Sequence, residues 1–121
     1  MSFLALWLGV GLIGGAASVL RYLVHGLFPP DARAGFPLGT LAVNLTGSFV
    51  LGLLVGAAVH GDAYLLAGTA AVGSYTTFST WMLDTERLAR ETRVTRAALN
   101  VAGSLVLGLL AAELGRTITG G

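Results

Sequence analysis

Apolar residues fill this chain in long unbroken blocks, with neither the alternation of a half-buried strand nor the single stripe of a soluble amphipathic helix. Positions 3–20, 34–61 and 63–83 form three such blocks, interrupted chiefly by glycine and hydroxyl residues; a shorter fourth covers 97–112. An apolar run of about 18 or more residues is a candidate membrane span, because a helix rising 1.5 Å per residue needs about 20 of them to cross the hydrocarbon core. The fourth run is short, but Arg96 and Arg116 flank it and their long stems reach the headgroups. The pattern predicts an all-α membrane protein with four transmembrane helices, spanning roughly 3–27, 37–60, 63–86 and 95–115. One membrane domain, 1–121, uses up the chain. Pro37 stands where the second helix begins, a place that tolerates a missing N–H. The segment 28–36, with Pro29, Pro30, Asp31 and Gly35, reads as an ordered turn.

Composition sharpens this. Apolar residues make up 55% of the 121 and only thirteen side chains are formally charged, so no basic helix face suggests nucleic acid. The absence of cysteine excludes disulfides and thiolate ligands. Met1 and Ser2 provide no basic n-region and the first run exceeds a usual h-region, which speaks against a cleaved signal peptide. All seven cations are arginine. Arg21, Arg33, Arg87, Arg90, Arg93 and Arg96 fall on one membrane face, and only Arg116 on the other; the positive-inside rule puts that first face in the cytoplasm and both termini outside.

Glycine is abundant, eighteen in all, and recurs at helix-packing spacings: Gly11 with Gly15, Ser48 with Gly52 and Gly56, and Gly103 and Ser104 near Gly108. Small residues let helices approach closely in lipid. Four thin helices still enclose little interior, so a dimer is expected if anything is to pass.

Polar residues inside the blocks are the candidates for chemistry. Thr40, Asn44 and Ser48 recur every four residues and share a helical face; Asn100 and Ser104 repeat the spacing on the fourth span. Each is either an interhelical hydrogen-bonding residue or part of a polar stripe along a permeation path. On the third span, the run from Gly73 to Trp81 (Gly-Ser-Tyr-Thr-Thr-Phe-Ser-Thr-Trp) is a poor helix former. It is either a kinked helix whose hydroxyls bond back to the preceding turn, or a break whose freed backbone groups face protein, water or an ion. Phe78 and Trp81, three apart, share a face, either packed against lipid or standing along a path.

These motifs resemble the Fluc (CrcB) family of small bacterial fluoride channels over nearly the full length: the run ending in Arg21 and Tyr22, the stretch from Gly39 to Phe49 containing Val-Asn44-Leu-Thr-Gly47-Ser48, and Gly73 through Trp81 followed by Glu86. The resemblance implies an antiparallel, dual-topology-type dimer with two pores, passive export of fluoride across the bacterial cytoplasmic membrane, and a structural sodium ion at the dimer centre. It implies Asn44 as a pore-lining donor, Phe78 and Trp81 as pore aromatics, Ser79, Thr80 and Glu86 along the polar track with Ser104 and Asn100 on the fourth helix, Arg21 at a vestibule, and the Gly73 and Thr76 carbonyls as sodium ligands. Two positions depart from the pattern: Trp81 stands where phenylalanine is usual, and Asn100 where a tyrosine often precedes the serine. Donors and positive ring edges suit a small, strongly hydrated anion without trapping it.

The arginine bias leads to a further expectation. A homodimer of opposed subunits needs balanced charge, so this chain either pairs with itself or inserts one way and pairs with a homologous subunit of opposite bias. The alternatives are a small proton-coupled multidrug exporter, which needs a membrane-embedded carboxylate that the spans lack before Asp84, and a non-conducting assembly subunit, which leaves the polar third span unexplained. An enzyme is not expected, since neither His25 nor His60 has a nucleophile or metal partner at a suitable spacing.

Overall fold

The structure, a computed structural model, describes residues 1–31, 35–91 and 93–120. Arg33 therefore lies outside the described residues, as does part of the expected turn at 28–36. Among the described residues all regular structure is helical.

Helix α1 (Phe3–His25) is capped by Ser2, whose hydroxyl accepts from the Ala5 N–H at 3.2 Å. Helix α2 (Leu38–Gly56) starts directly after Pro37, as the missing N–H requires. A short turn, α3 (Gly61–Tyr64), leads into a π-helical stretch (Leu65–Val72) and a last turn, α4 (Gly73–Tyr75). Thr76 and Thr77 then adopt extended backbone, and the helix resumes as α5 (Phe78–Arg90), which is followed by α6 (Val94–Gly120). By length and composition α1, α2 and α6 are each long and apolar enough to cross a membrane.

Helix α2 is the central element. Its partner is α6, and the two meet backbone to backbone. A methyl group built at Gly52 would overlap the Ala112 carbonyl; one at Gly56 would overlap the Arg116 carbonyl; one at Gly115 would overlap the Phe49 carbonyl. Small residues make this approach possible. Of the expected small-residue pairs, Gly52 and Gly56 form this seam, whereas Gly11, Gly15 and Gly103 meet nothing within 4 Å. On α1 it is Gly14 that packs inward, 3.0 Å from the Ser74 hydroxyl by the same construction. The outer surfaces of α1 and α6 are covered with exposed leucine, valine and aromatic side chains, among them Leu12, Leu23, Leu109 and Leu110. Water is a poor solvent for so continuous an apolar face, and lipid or another protein surface suits it.

At one end of the bundle, ionic contacts tie the elements together. Arg87 bridges Asp31 at 3.4 Å and Asp84 at 3.5 Å, and Arg96 donates to the Gly35 carbonyl at 3.1 Å. Gly35 has a φ of +73°, which a residue with a side chain adopts only at a cost.

Candidate functional site

The interruption at Thr76 and Thr77 organises the site. Continuing an α-helix through it would give the Gly73 carbonyl the Thr77 N–H, and the Thr76 carbonyl the Thr80 N–H. Both donors go elsewhere. The Thr77 N–H donates to the Asn44 Oδ1 at 2.9 Å, and the Thr80 N–H donates to the Thr77 hydroxyl at 3.2 Å, capping α5. Asn44 Nδ2 donates in return to the Thr77 carbonyl at 3.0 Å. One amide side chain thus stands in for a backbone neighbour, accepting and donating as a strand would. Gly47, one turn further along α2, leaves room for the Thr76 methyl and the Tyr75 ring, which a side chain there would strike. Thr76 also bonds back through its hydroxyl to the Val72 carbonyl at 3.0 Å. Both features considered for this run, back-bonded hydroxyls and unwound backbone, therefore occur together.

Beside the interruption lies a groove of about 410 Å³ between α2, α5 and α6. Asn44, Ser48, Thr77, Phe78, Trp81 and Ser104 supply its polar and aromatic wall, and among the described residues no charged one lines it. An amide nitrogen carries two hydrogens; with one spent on Thr77, Asn44 retains a second. The hydroxyls of Ser48 and Ser104 add two more rotatable donors. Phe78 is 70% exposed and stands edge-to-face with Trp81, ring centroids 5.8 Å apart and planes at 79°. This geometry directs the positive edge of one ring at the face of the other.

The remaining candidates lie elsewhere. Thr80 and Arg21 line a second cavity of about 580 Å³, together with His25, Thr40 and Thr77. Thr77 is thus common to both cavities. The Arg21 guanidinium approaches the Thr76 carbonyl at a long 3.5 Å. Ser79 is exposed and lines neither cavity. Glu86 is exposed and pairs with Arg90 one turn on. Asn100 is 1% exposed and is not on the groove wall, lying one turn before Ser104 on α6.

Two residues at the site were not singled out from the sequence. Thr77 is the cap and the Asn44 partner; a threonine three residues before another residue's N–H is a capping signal, masked here by four neighbouring hydroxyl residues. Asp84 is the buried carboxylate, 4% exposed, taking the Thr40 hydroxyl at 2.9 Å alongside Arg87. Thr40 thus turns away from Asn44 and Ser48 in function although it shares their face: it holds a carboxylate, and they meet the groove.

Known proteins resemble the chain over nearly its whole length. Residues 8–116 match the family model described as "CrcB-like protein, Camphor Resistance (CrcB)". The chain is 52% identical over 118 residues to a Mycolicibacterium paratuberculosis protein named fluoride-specific ion channel FluC 2, covering 98% of this chain and 97% of that one. It is 54% identical over 114 residues to a Mycobacterium bovis protein of the same name, covering 94% and 90%. A Haloarcula marismortui protein, also so named, is 46% identical over 101 residues, covering 84% and 82%.

Proposed function

Starting from a chain that belongs to the CrcB family, we propose that it is a multi-pass membrane protein conducting fluoride passively and selectively, out of the cytoplasm, through the groove beside Asn44. The observation that carries this reading is the uncharged wall of that groove, where Asn44, Ser48, Phe78, Trp81 and Ser104 gather at an interrupted helix. Fluoride gives up hydration water only to groups that replace it. Amide and hydroxyl donors do so, and aromatic edges offer weak positive charge. A full positive charge in the groove would hold the ion instead of passing it.

In this reading residues 61–90 make up the third of four spans, with its break at Thr76–Thr77. The interrupted backbone is tolerated because it faces protein and ion rather than lipid. The groove is open on one side, so the sealed path belongs to an antiparallel dimer in the cytoplasmic membrane, formed with a second copy or with a homologous subunit. The Gly73 and Thr76 carbonyls, deprived of their helical donors, are the hard oxygen ligands that a structural sodium takes. The Arg21 guanidinium lies 3.5 Å from the Thr76 carbonyl. Sodium would supply a fixed cation there. Thr80 and Arg21 form the approach, where Arg21 draws anions inward.

The test is flux. Purified protein is reconstituted in liposomes loaded with potassium fluoride, and release is followed with a fluoride electrode after a potassium ionophore is added. Rapid release with chloride retained supports the channel. Retention of fluoride, or proton-coupled uptake of an organic cation, overturns it.

A further inference from the structure

Trp81 and Asn100, on different helices, hold one another. The indole N–H of Trp81 donates to the Asn100 backbone carbonyl at 3.0 Å. Asn100 Nδ2 donates to the Thr85 hydroxyl at 2.8 Å and lies 3.4 Å from the Trp81 carbonyl. The Thr85 hydroxyl donates in turn to the Trp81 carbonyl at 2.9 Å. The bridge is buried at the Asn100 end, and no buried side-chain nitrogen or oxygen among the described residues is left without a partner. Its position is also specific. Trp81 is the last α5 residue on the groove wall and Ser104 the first on α6, so the bridge lies immediately beyond the groove on the side of the charged cluster.

We propose that the α6 backbone carbonyl at Asn100 latches the Trp81 indole across α5 and α6, closing that end of the groove and keeping the indole N–H away from the anion. The Asn100 side chain, through Thr85 and the Trp81 carbonyl, is the positioning group that keeps that backbone carbonyl in register with the indole. This rests on the fluoride-channel reading for its consequence, but not for its geometry. An indole N–H is a directed donor. Pointed into a dry groove it would give fluoride a strong site; donated to a backbone carbonyl it leaves only ring C–H edges, whose attraction is weaker and releases the ion. The latch therefore converts a tryptophan, bulkier and more polar than phenylalanine, into a weakly attractive wall. Loosening it exposes the donor and slows passage.

The experiment uses full-length protein carrying Trp7→Phe, so that Trp81 is the one indole left. Asn100→Leu keeps the count of side-chain heavy atoms and removes the side-chain donor. It is expected to shift Trp81 emission, to make that emission respond to added fluoride, and to slow fluoride release about three- to tenfold, the equivalent of one net hydrogen bond. In full-length Trp81→Phe protein, with no indole donor to expose, Asn100→Leu is expected to leave release unchanged. Unchanged emission in Asn100→Leu, or equal slowing whether residue 81 is Trp or Phe, overturns the latch. Should Asn100→Leu fail to fold, Thr85→Val removes the nearer acceptor of Asn100 and the same emission comparison decides. If the parent protein releases no fluoride, the channel reading falls, and the emission measurement still tests the latch by itself.

Discussion

Asn44 spends its amide on a single residue, with the Thr77 N–H on one side and the Thr77 carbonyl on the other. Its first task is to make an unwound backbone tolerable, and its remaining N–H is what it offers the groove. Asn44→Ala strands two backbone groups, each costing about 1–3 kcal/mol when left unpaired away from water, so unfolding in detergent should show a loss of about 2–6 kcal/mol together with lost flux. Asn44→Asp keeps the acceptor for the Thr77 N–H but sets a carboxylate against the Thr77 carbonyl and against any anion. It should remove flux even where protein is recovered. The two acidic residues of α5 separate in the same way. Glu86→Gln breaks only an exposed pair with Arg90 and should leave both the thermal midpoint and flux unchanged. Thr40→Val takes away the hydroxyl donor to buried Asp84 and should cost about 1–3 kcal/mol in the same unfolding measurement.

At the scale of elements, the sequence made the helices and the weak point of the third segment legible, because long apolar blocks and a glycine-hydroxyl run are local features. The spacing of four put Thr40, Asn44 and Ser48 on one face of α2 and Asn100 with Ser104 on the fourth span; of these Asn44, Ser48 and Ser104 meet the groove, whereas Thr40 and Asn100 do not. It did not reveal that Thr77 would be the Asn44 partner, since that pairing spans 33 positions and depends on how α2 docks. For the same reason Glu86 stood out where Asp84 is the residue that docking buries: only the rotation of α5 distinguishes two carboxylates two positions apart. Spacing identified Gly11 and Gly15 as a pair, yet α1 turns Gly14 inward. The α2–α6 seam is the element-level feature most open to test. Gly52→Ala and Gly115→Ala each put a methyl into opposing backbone, which cannot rotate aside, and should cost at least about 2 kcal/mol in unfolding experiments. Gly11→Ala, which meets nothing in the same chain, serves as the control and should leave unfolding of the lone subunit unaltered.

For the whole molecule, the exposed apolar outer faces of α1 and α6 suit lipid or another protein surface, and the proposed dimer would close the open side of the groove. Which partner depends on orientation. Arg87 and Arg96 are engaged at one end of the bundle with Asp31 and the Gly35 carbonyl, so two of the arginines at that end also tie elements together. Fusing to the C-terminus, in parallel, two reporters that are each active on a different membrane face should give signal from one of them alone; equal signal from both would show dual insertion and favour pairing with identical copies.

The glycine seam also bears on how this sequence can drift. Most of its apolar positions are interchangeable among leucine, valine and isoleucine, because lipid asks only that they be greasy. A saturation library of α2 and α6 should therefore look permissive nearly throughout, crossed by a few intolerant stripes at residues 52, 56 and 115. Those stripes would mark the helix pair even for someone who had never seen its coordinates.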